Sequence, residues 1–146
     1  MYVAESKRLT YEGAKKIMAT AIDQAREAGV AISCAVVDAG GHIILLERME
    51  GGRFHTVHSC TTKAVCAASN RRPTRAQGAA GQELDVSHAI GLALAAGPER
   101  WTAMEGGVPV LVDGQCVGAV GVSGGDWQTD FRIAAAAVES IATGGT

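Results

Sequence analysis

Apolar residues in this chain alternate between short unbroken runs and longer segments with helical spacing. Two short runs, Ala31–Val37 and His42–Leu46, are separated by residues 38–41, which read DAGG. Runs of this length, rich in Val and Ile and split by Asp and Gly, are typical of a β-hairpin. Asp38 closes the first run, and Glu47 and Arg48 close the second. Ionisable residues at the end of an apolar strand are common at the rim of a small-molecule pocket. They are equally common where a strand enters a solvated turn.

A second hairpin is predicted in the last third of the chain. The runs Val108–Val112 and Gln115–Val122 flank Asp113-Gly114, one of the strongest two-residue turn signals. Two hairpins without βαβ units indicate an antiparallel sheet.

Four segments have helical spacing or helix boundary residues. The first begins after Thr10 as N-cap and ends at Gly29, with apolar positions at i, i+3 and i+4. The others are Phe54–Ser69, Asp85–Ala96 and Trp127–Ala142. In the second, Val57, Thr61, Ala64 and Ala68 are expected to form the buried face. We therefore expect one α+β domain over residues 1–146, with helices packed mainly on one face of the sheet.

Composition narrows the function classes. The chain of 146 residues is 47% apolar and 4% aromatic, with a net charge of -2 and no basic run, so nucleic-acid binding is not expected. No window approaches the roughly 18 apolar residues of a membrane helix, and the N-terminus lacks the apolar core of a secretory signal. The four cysteines form no C-x-x-C pair, which favours a reduced, cytoplasmic protein.

Several segments together resemble the GlcG/HbpS-like heme-binding family. They are VVDAGGHIILLERMEG, TTKAVCAA followed by RRPT, GGVPVLVDGQCVGAVGVSGG and QTD. The resemblance implies a profilin-like fold with a five-stranded antiparallel sheet, assembly into homo-oligomers, and binding of heme, corrinoid or flavin-like cofactors. Lys63 matches the family's KA motif, and Asp38 and Asp130 fall on motif positions. The chain departs from the family pattern at residues 54–58, at 82–100, and at Glu105.

His55 and His58 are three residues apart, so on a helix they share a face, and that face points away from Ala64. Such imidazoles suit an axial heme ligand, acid–base catalysis near neutral pH, or half of a metal site. The alternative is that both are solvated surface histidines without a functional role. A metal site needs three or four ligands, which His88 and Glu105 would have to complete.

Charged and glycine residues supply further candidates for binding. Arg48 and Lys63 could hold a carboxylate or a heme propionate, or form ordinary surface salt bridges. Asp38 either contacts a ligand or simply ends its strand, and Asp130 suits the first turn of a helix. Gly107 would allow close approach of a ligand to the backbone. Residues 123–125 (SGG), before the last helix, resemble a weak anion-binding loop.

Two functions from different classes remain open. The first is an oligomeric binding protein for heme or a related small organic cofactor, with its pocket between the first hairpin and the second helix. The second is a cofactor-independent isomerase, tautomerase or lyase acting on an organic acid, with His55, His58 or Glu105 as acid and base. A structural or regulatory partner of a catabolic enzyme is a third. The expected ligand is a small molecule in each of the first two.

Overall fold

In the computed structural model, which describes residues 1–142, the chain forms four helices around one sheet. The elements in order are α1 (Tyr11–Ala28), β1 (Ser33–Asp38), β2 (Ile43–Arg48), α2 (His55–Asn70), α3 (Val86–Ala96), β3 (Gly107–Val112), β4 (Gln115–Ser123) and α4 (Trp127–Ala142). The strands pair antiparallel in the order β2-β1-β4-β3. Both predicted hairpins are confirmed, and Asp113 and Gly114 have the positive φ angles, 50° and 78°, of the expected turn.

The sheet has four strands, so the five-stranded sheet expected from the family resemblance is wrong. Beyond these four, the described residues contain the isolated bridge between Gln77 and Glu83. The sequence itself holds four strand-length apolar runs, and the fifth strand was inferred from the resemblance alone.

The helices cover both faces of the sheet, which corrects the expectation of one covered face. Helices α1 and α4 pack with one core cluster, which includes Val36 and Val120, whereas α2 packs with Ala35 and Ala119 in a second. Consecutive strand residues point to opposite faces, and Ser33–Val37 is buried at every position. Because both faces of β1 are buried, both require a helical layer.

Helix α2 approaches β3 and β4 closely enough for backbone atoms to meet. A Cβ added at Gly121 would clash with the carbonyl oxygen of Cys60, and one added at Gly107 would clash with that of Lys63. Glycine is required at such contacts because only it leaves room for the opposing backbone. This contact fixes the height of α2 above the sheet and so positions the residues of its first turns.

Helix α3 is attached differently from the other helices, because none of its residues is buried. Its N-cap is Asp85, whose carboxylate accepts a hydrogen bond from the backbone N–H of His88 at 2.8 Å. Val86, Ile90 and Leu94 form an exposed apolar stripe at i, i+4 and i+8.

In the part of the chain described, no helix is both long and apolar enough to cross a membrane.

Candidate functional site

A cavity of about 370 Å³ lies where the first turns of α2 meet the loop between β4 and α4. We call it the α2–α4 cavity. Its lining from α2 and the residues just before it comprises Arg53, His55, Thr56, His58, Ser59, Thr62 and Lys63. Residues 123–125 and Asp130 line the opposite side, and Pro98, Thr102 and Met104 complete the wall. The two histidines and Lys63, proposed from sequence, therefore do share one cavity.

The floor of the cavity holds a buried ion pair. The Lys63 Nζ lies 3.2 Å from Asp130 Oδ2 and donates a hydrogen bond to the carbonyl oxygen of Val122 at 2.9 Å. The other carboxylate oxygen of Asp130 accepts a hydrogen bond from the Gly125 N–H at 2.8 Å. Burial raises the pKa of Asp130, and the neighbouring ammonium of Lys63 opposes that rise. Lys63 is thus neutralised within the fold instead of being free to clamp a ligand.

Hydroxyl groups join α2 to the sheet beside this floor. Thr56 Oγ1 donates to the carbonyl oxygen of Arg53 at 2.6 Å and lies 2.8 Å from Ser33 Oγ. Since a hydroxyl carries one hydrogen, Ser33 is the donor in the second bond. Ser59 Oγ lies 2.9 Å from Ser123 Oγ. These bonds turn Thr56 inward, so the buried face of α2 begins at Thr56 and not at Val57 as the apolar spacing had predicted.

The rim of the cavity is electropositive. Arg53, His55 and His58 stand at the amino end of α2, which has no side-chain cap and no acidic residue in its first turn. The Thr56 and Val57 N–H groups already donate to the carbonyl oxygens of Arg53 and Phe54, at 3.0 and 3.3 Å, and the helix dipole at this end still favours anions. In residues 1–142 the Arg53 guanidinium and the His58 imidazole have no side-chain hydrogen-bond partner or ion pair, and the His55 ring has an edge contact with Phe54. The rim is therefore suited to receive a carboxylate.

Two sequence candidates from the first hairpin lie outside this cavity. The guanidinium of Arg48 donates to the carbonyl oxygen of Gly52 at 2.9 Å, and it is absent from the lining. Asp38 accepts hydrogen bonds from the N–H groups of Gly40 and His42 at 2.9 and 3.0 Å, so it ends its strand. It is about 17 Å from the Ser33 end of β1, at about 3.3 Å per residue. Arg48 and Asp38, which were expected to converge with the imidazoles, therefore do not line the cavity that the imidazoles line.

Three other candidates are placed elsewhere. Gly107, the first residue of β3, is buried against α2, and its N–H donates to Thr74 Oγ1 at 2.9 Å. Glu105 lines a different cavity. His88 is exposed, with Nδ1 2.8 Å from Asp85 Oδ1. Within residues 1–142, no group of three or more His, Cys, Asp or Glu side chains could hold a metal ion, so these residues do not complete a metal site with His55 and His58.

Sequence reasoning overlooked Arg53 and the hydroxyls of Thr56 and Ser59. Arg53 follows two glycines and stands two residues before His55, the first residue of α2, a position from which a side chain reaches the amino end of a helix. That position was the available signal. By contrast, residues 123–125 were proposed as an anion-binding loop, and they do line the cavity.

These features define an α+β protein in which an antiparallel sheet, covered by helices on both faces, carries a polar cavity at one end. Residues 9–139 match the family model described as haem degrading protein HbpS-like. The chain belongs to this HbpS-like family, as its sequence motifs had indicated.

Known relatives agree with the family assignment. Protein GlcG of Escherichia coli K12 is 38% identical over 115 residues, which cover 79% of this chain and 81% of GlcG. The crystal structure of ORFY from Klebsiella pneumoniae has a TM-score of 0.82 and 31% identity, covering 96% of this chain and 95% of ORFY. The PduOC:heme complex has the same fold, with a TM-score of 0.79 and 22% identity over 92% of this chain and 96% of PduOC.

Proposed function

We propose that this protein binds heme, or a related small organic cofactor that carries carboxylates, in the α2–α4 cavity. The observation that carries the proposal is the electropositive rim above a neutralised floor. Arg53 is the cation at this rim without a partner among the described residues, whereas the acidic lining residue, Asp130, is already paired with Lys63. A bound carboxylate would therefore meet an available guanidinium and no competing anion.

His58 and His55 are the candidate iron ligands. Both are exposed at the rim and belong to the same cavity as Arg53. Histidine is a common axial ligand of heme iron, and it must offer a free ring nitrogen to serve as one. In residues 1–142 neither ring nitrogen of His58 is engaged by another side chain. When bound, heme would supply the iron, and this chain would supply the imidazole and the carboxylate-binding rim.

The family supports a heme ligand, because the matching model describes a haem degrading protein. PduOC, a protein of the same fold, has been solved as a heme complex. The α2–α4 cavity itself is small and polar, with Pro98 and Met104 as its apolar lining residues. A porphyrin face would thus extend beyond the cavity described.

We propose that a second protomer covers such an extended ligand, in line with the homo-oligomer expected from sequence. The apolar stripe Val86, Ile90 and Leu94 on α3 is exposed in a single chain and precedes the wall residues 98–104. Packing between copies through this stripe would shield apolar surface near the cavity.

All four cysteines are free thiols, which agrees with the cytoplasmic location also expected from sequence; they are Cys34, Cys60, Cys66 and Cys116.

Absorbance titration with hemin tests the proposal. We expect a shifted Soret band in the wild type, and loss of that shift in the His55→Ala/His58→Ala double variant, with the single variants identifying the ligand. His88→Ala is the matched control, because it removes an exposed imidazole that does not line the cavity. A wild type without a Soret shift, or a double variant that keeps it, contradicts the proposal.

A second function is favoured by the floor of the same cavity. The hydroxyl pair Ser59–Ser123 and the ion pair Lys63–Asp130 line the same cavity as the imidazoles of His55 and His58. This arrangement suits proton transfer on a small organic acid, as in an isomerase, tautomerase or lyase. Since Glu105 lies elsewhere, His55 and His58 would be the acid and base.

Deuterium exchange tests this alternative. The carbon-bound protons of pyruvate and oxaloacetate, used as probes, are followed by NMR in D₂O. Exchange faster than in buffer, with a bell-shaped pH profile abolished in the His55→Ala/His58→Ala variant, supports catalysis. Exchange at the buffer rate with both probes contradicts it for 2-oxo acids.

A further inference from the structure

A second cavity, of about 280 Å³, lies beside the amino end of α4. We call it the Trp127 cavity. The lining residues that matter here are Pro73, Arg75, Glu105, Trp127 and Phe131. None of them lines the α2–α4 cavity, so Glu105 serves a different site from His55 and His58.

Aromatic rings form the apolar wall of the Trp127 cavity. Trp127 and Phe131 are four residues apart on α4 and so share a face. Although aromatic residues make up 4% of the chain, these two remain 54% and 39% exposed. Pro73 adds a further apolar surface. A wall of this kind stacks on a planar ligand group and attracts an organic cation.

Two opposite charges in this cavity lack partners. Glu105 is half-buried and Arg75 is exposed, and in residues 1–142 neither side chain forms a hydrogen bond or an ion pair, including with the other. The lining hydroxyl of Thr74, by contrast, is fully engaged with Met104 and Gly107. A half-buried carboxylate without a partner among the described residues is available to a ligand that donates charge-assisted hydrogen bonds.

We propose that the Trp127 cavity binds a small zwitterion of the amino-acid type with an apolar or aromatic body. Its ammonium would pair with Glu105, its carboxylate with Arg75, and its body would lie against Trp127 and Phe131. A purely anionic ligand would meet the charge of Glu105, and a purely cationic one the charge of Arg75. A neutral ligand would leave both charges unpaired. The volume is at the low end for ligand sites, which fits a molecule of this size.

Fluorescence of Trp127 reports directly on this site. In a Trp101→Phe background, Trp127 is the sole indole of the chain. It is titrated with L-phenylalanine, phenethylamine, 3-phenylpropionate and 2-phenylethanol, which share a ring and differ in charge. We expect L-phenylalanine to bind at least roughly tenfold more tightly than the other three. Calorimetry on the wild type gives the same ranking without the Trp101 substitution.

Charge-removing variants separate the two ionic contacts. Glu105→Gln should bind L-phenylalanine no better than 3-phenylpropionate, and Arg75→Gln no better than phenethylamine. Glu99→Gln and Arg100→Gln are the matched controls, because they remove a carboxylate and a guanidinium outside this cavity. The Soret shift of Glu105→Gln on titration with hemin should equal that of the wild type. The proposal for the Trp127 cavity is therefore tested independently of the proposal for the α2–α4 cavity.

Three results would overturn the zwitterion site. One is equal affinity for all four compounds, and another is no binding of L-phenylalanine at roughly 10 mM, a range weaker than specific sites show. The third is Trp127 emission that depends on protein concentration and not on ligand, which would show that a second copy covers the cavity.

Discussion

The ammonium of Lys63 lies 3.2 Å from the carboxylate of Asp130, and the two side chains are 6% and 5% exposed. Lys63 belongs to the middle of α2 and Asp130 to the first turn of α4, helices that cover opposite faces of the sheet. The pair therefore joins the two helical layers around the end of β4. The pair also leaves the cavity floor without net charge, so the free charge among the described lining residues is that of Arg53 at the rim.

Replacing Lys63 with Met should destabilise the fold by about 3–5 kcal/mol, because it leaves the Asp130 carboxylate buried and unpaired. The pKa of Asp130 should rise further, since the ammonium that opposed the effect of burial is gone. Urea unfolding measures the first effect, and NMR titration of the carboxyl carbon measures the second.

Two controls isolate the ion pair. Lys63→Met combined with Asp130→Leu should recover most of the lost stability, because no charge remains buried. Lys7→Met removes an exposed partner of Asp113, at 3.4 Å, and should cost less than about 1 kcal/mol. A Lys63→Met loss as small as that of Lys7→Met would argue against a buried pair.

Arg53→Gln should weaken the binding of hemin, or of a small dicarboxylate, roughly tenfold, in keeping with the loss of one charge-assisted hydrogen bond. Arg48→Gln should have little effect, because that guanidinium is held by the carbonyl oxygen of Gly52. Titration at two salt concentrations checks the ionic origin, since added salt should weaken the wild type more than Arg53→Gln. Equal losses in the two variants would be inconsistent with the rim described.

Helix α3 should lose its N-cap in acid. Hydrogen bonds from the His88 backbone N–H, and next from the His88 and Ser87 side chains, lower the pKa of Asp85 from 3.8 to about 2. Because the folded pKa is the lower one, the cap stabilises α3 above pH 3.8 and is lost as pH falls through about 2. Carbon chemical shifts of residues 86–96 should then move toward coil values, with α1 as an internal reference.

Asp85→Asn supplies the control for this titration. Asparagine caps a helix without an ionisable group, so its α3 shifts should be the same at pH 5 and in acid. Helical shifts of α3 that stay unchanged in the wild type as Asp85 protonates would contradict the prediction.

Two glycine substitutions should have opposite effects. Gly121→Ala places a Cβ against the carbonyl oxygen of Cys60 and should destabilise the chain by about 1–3 kcal/mol, as overpacking does. Gly91→Ala, in α3, meets no atom within 4 Å and should stabilise that helix by about 0.5–1 kcal/mol. Urea unfolding checks the first, and amide hydrogen exchange in α3 checks the second. Destabilisation of α3 by Gly91→Ala would contradict the open environment of that residue.

Local chemistry made the secondary structure predictable. The turn at Asp113-Gly114, the cap at Thr10 and the helix from Trp127 to Ala142 all follow from short-range preferences, and all are observed. The burial of Thr56 was not predictable from hydrophobicity, because it depends on a hydrogen bond to Ser33, a residue 23 positions away. The expectation of helices on one face was wrong because both faces of β1 are buried, and burial of the second face depends on α2, a helix distant in sequence.

The candidate site was predictable in part. His55, His58 and Lys63 were chosen for residue type and helical position, and they share a cavity. Arg48 was proposed and Arg53 was not, although both are arginines near the same turn and residue type does not distinguish them. A single hydrogen bond to Gly52 decides which guanidinium is available. Glu105 is close in sequence to the cavity wall at Met104, and its side chain lines the other cavity.

The backbone contact of α2 with β4 at Gly121 has a consequence for how ligand scope can diverge among related proteins. Because no side chain separates these two elements, repacking cannot raise or lower the helix to fit a larger or smaller ligand. New specificities must instead arise at residues 53–58 and 98–104, which can be exchanged or lengthened while the sheet and its glycines are inherited unchanged.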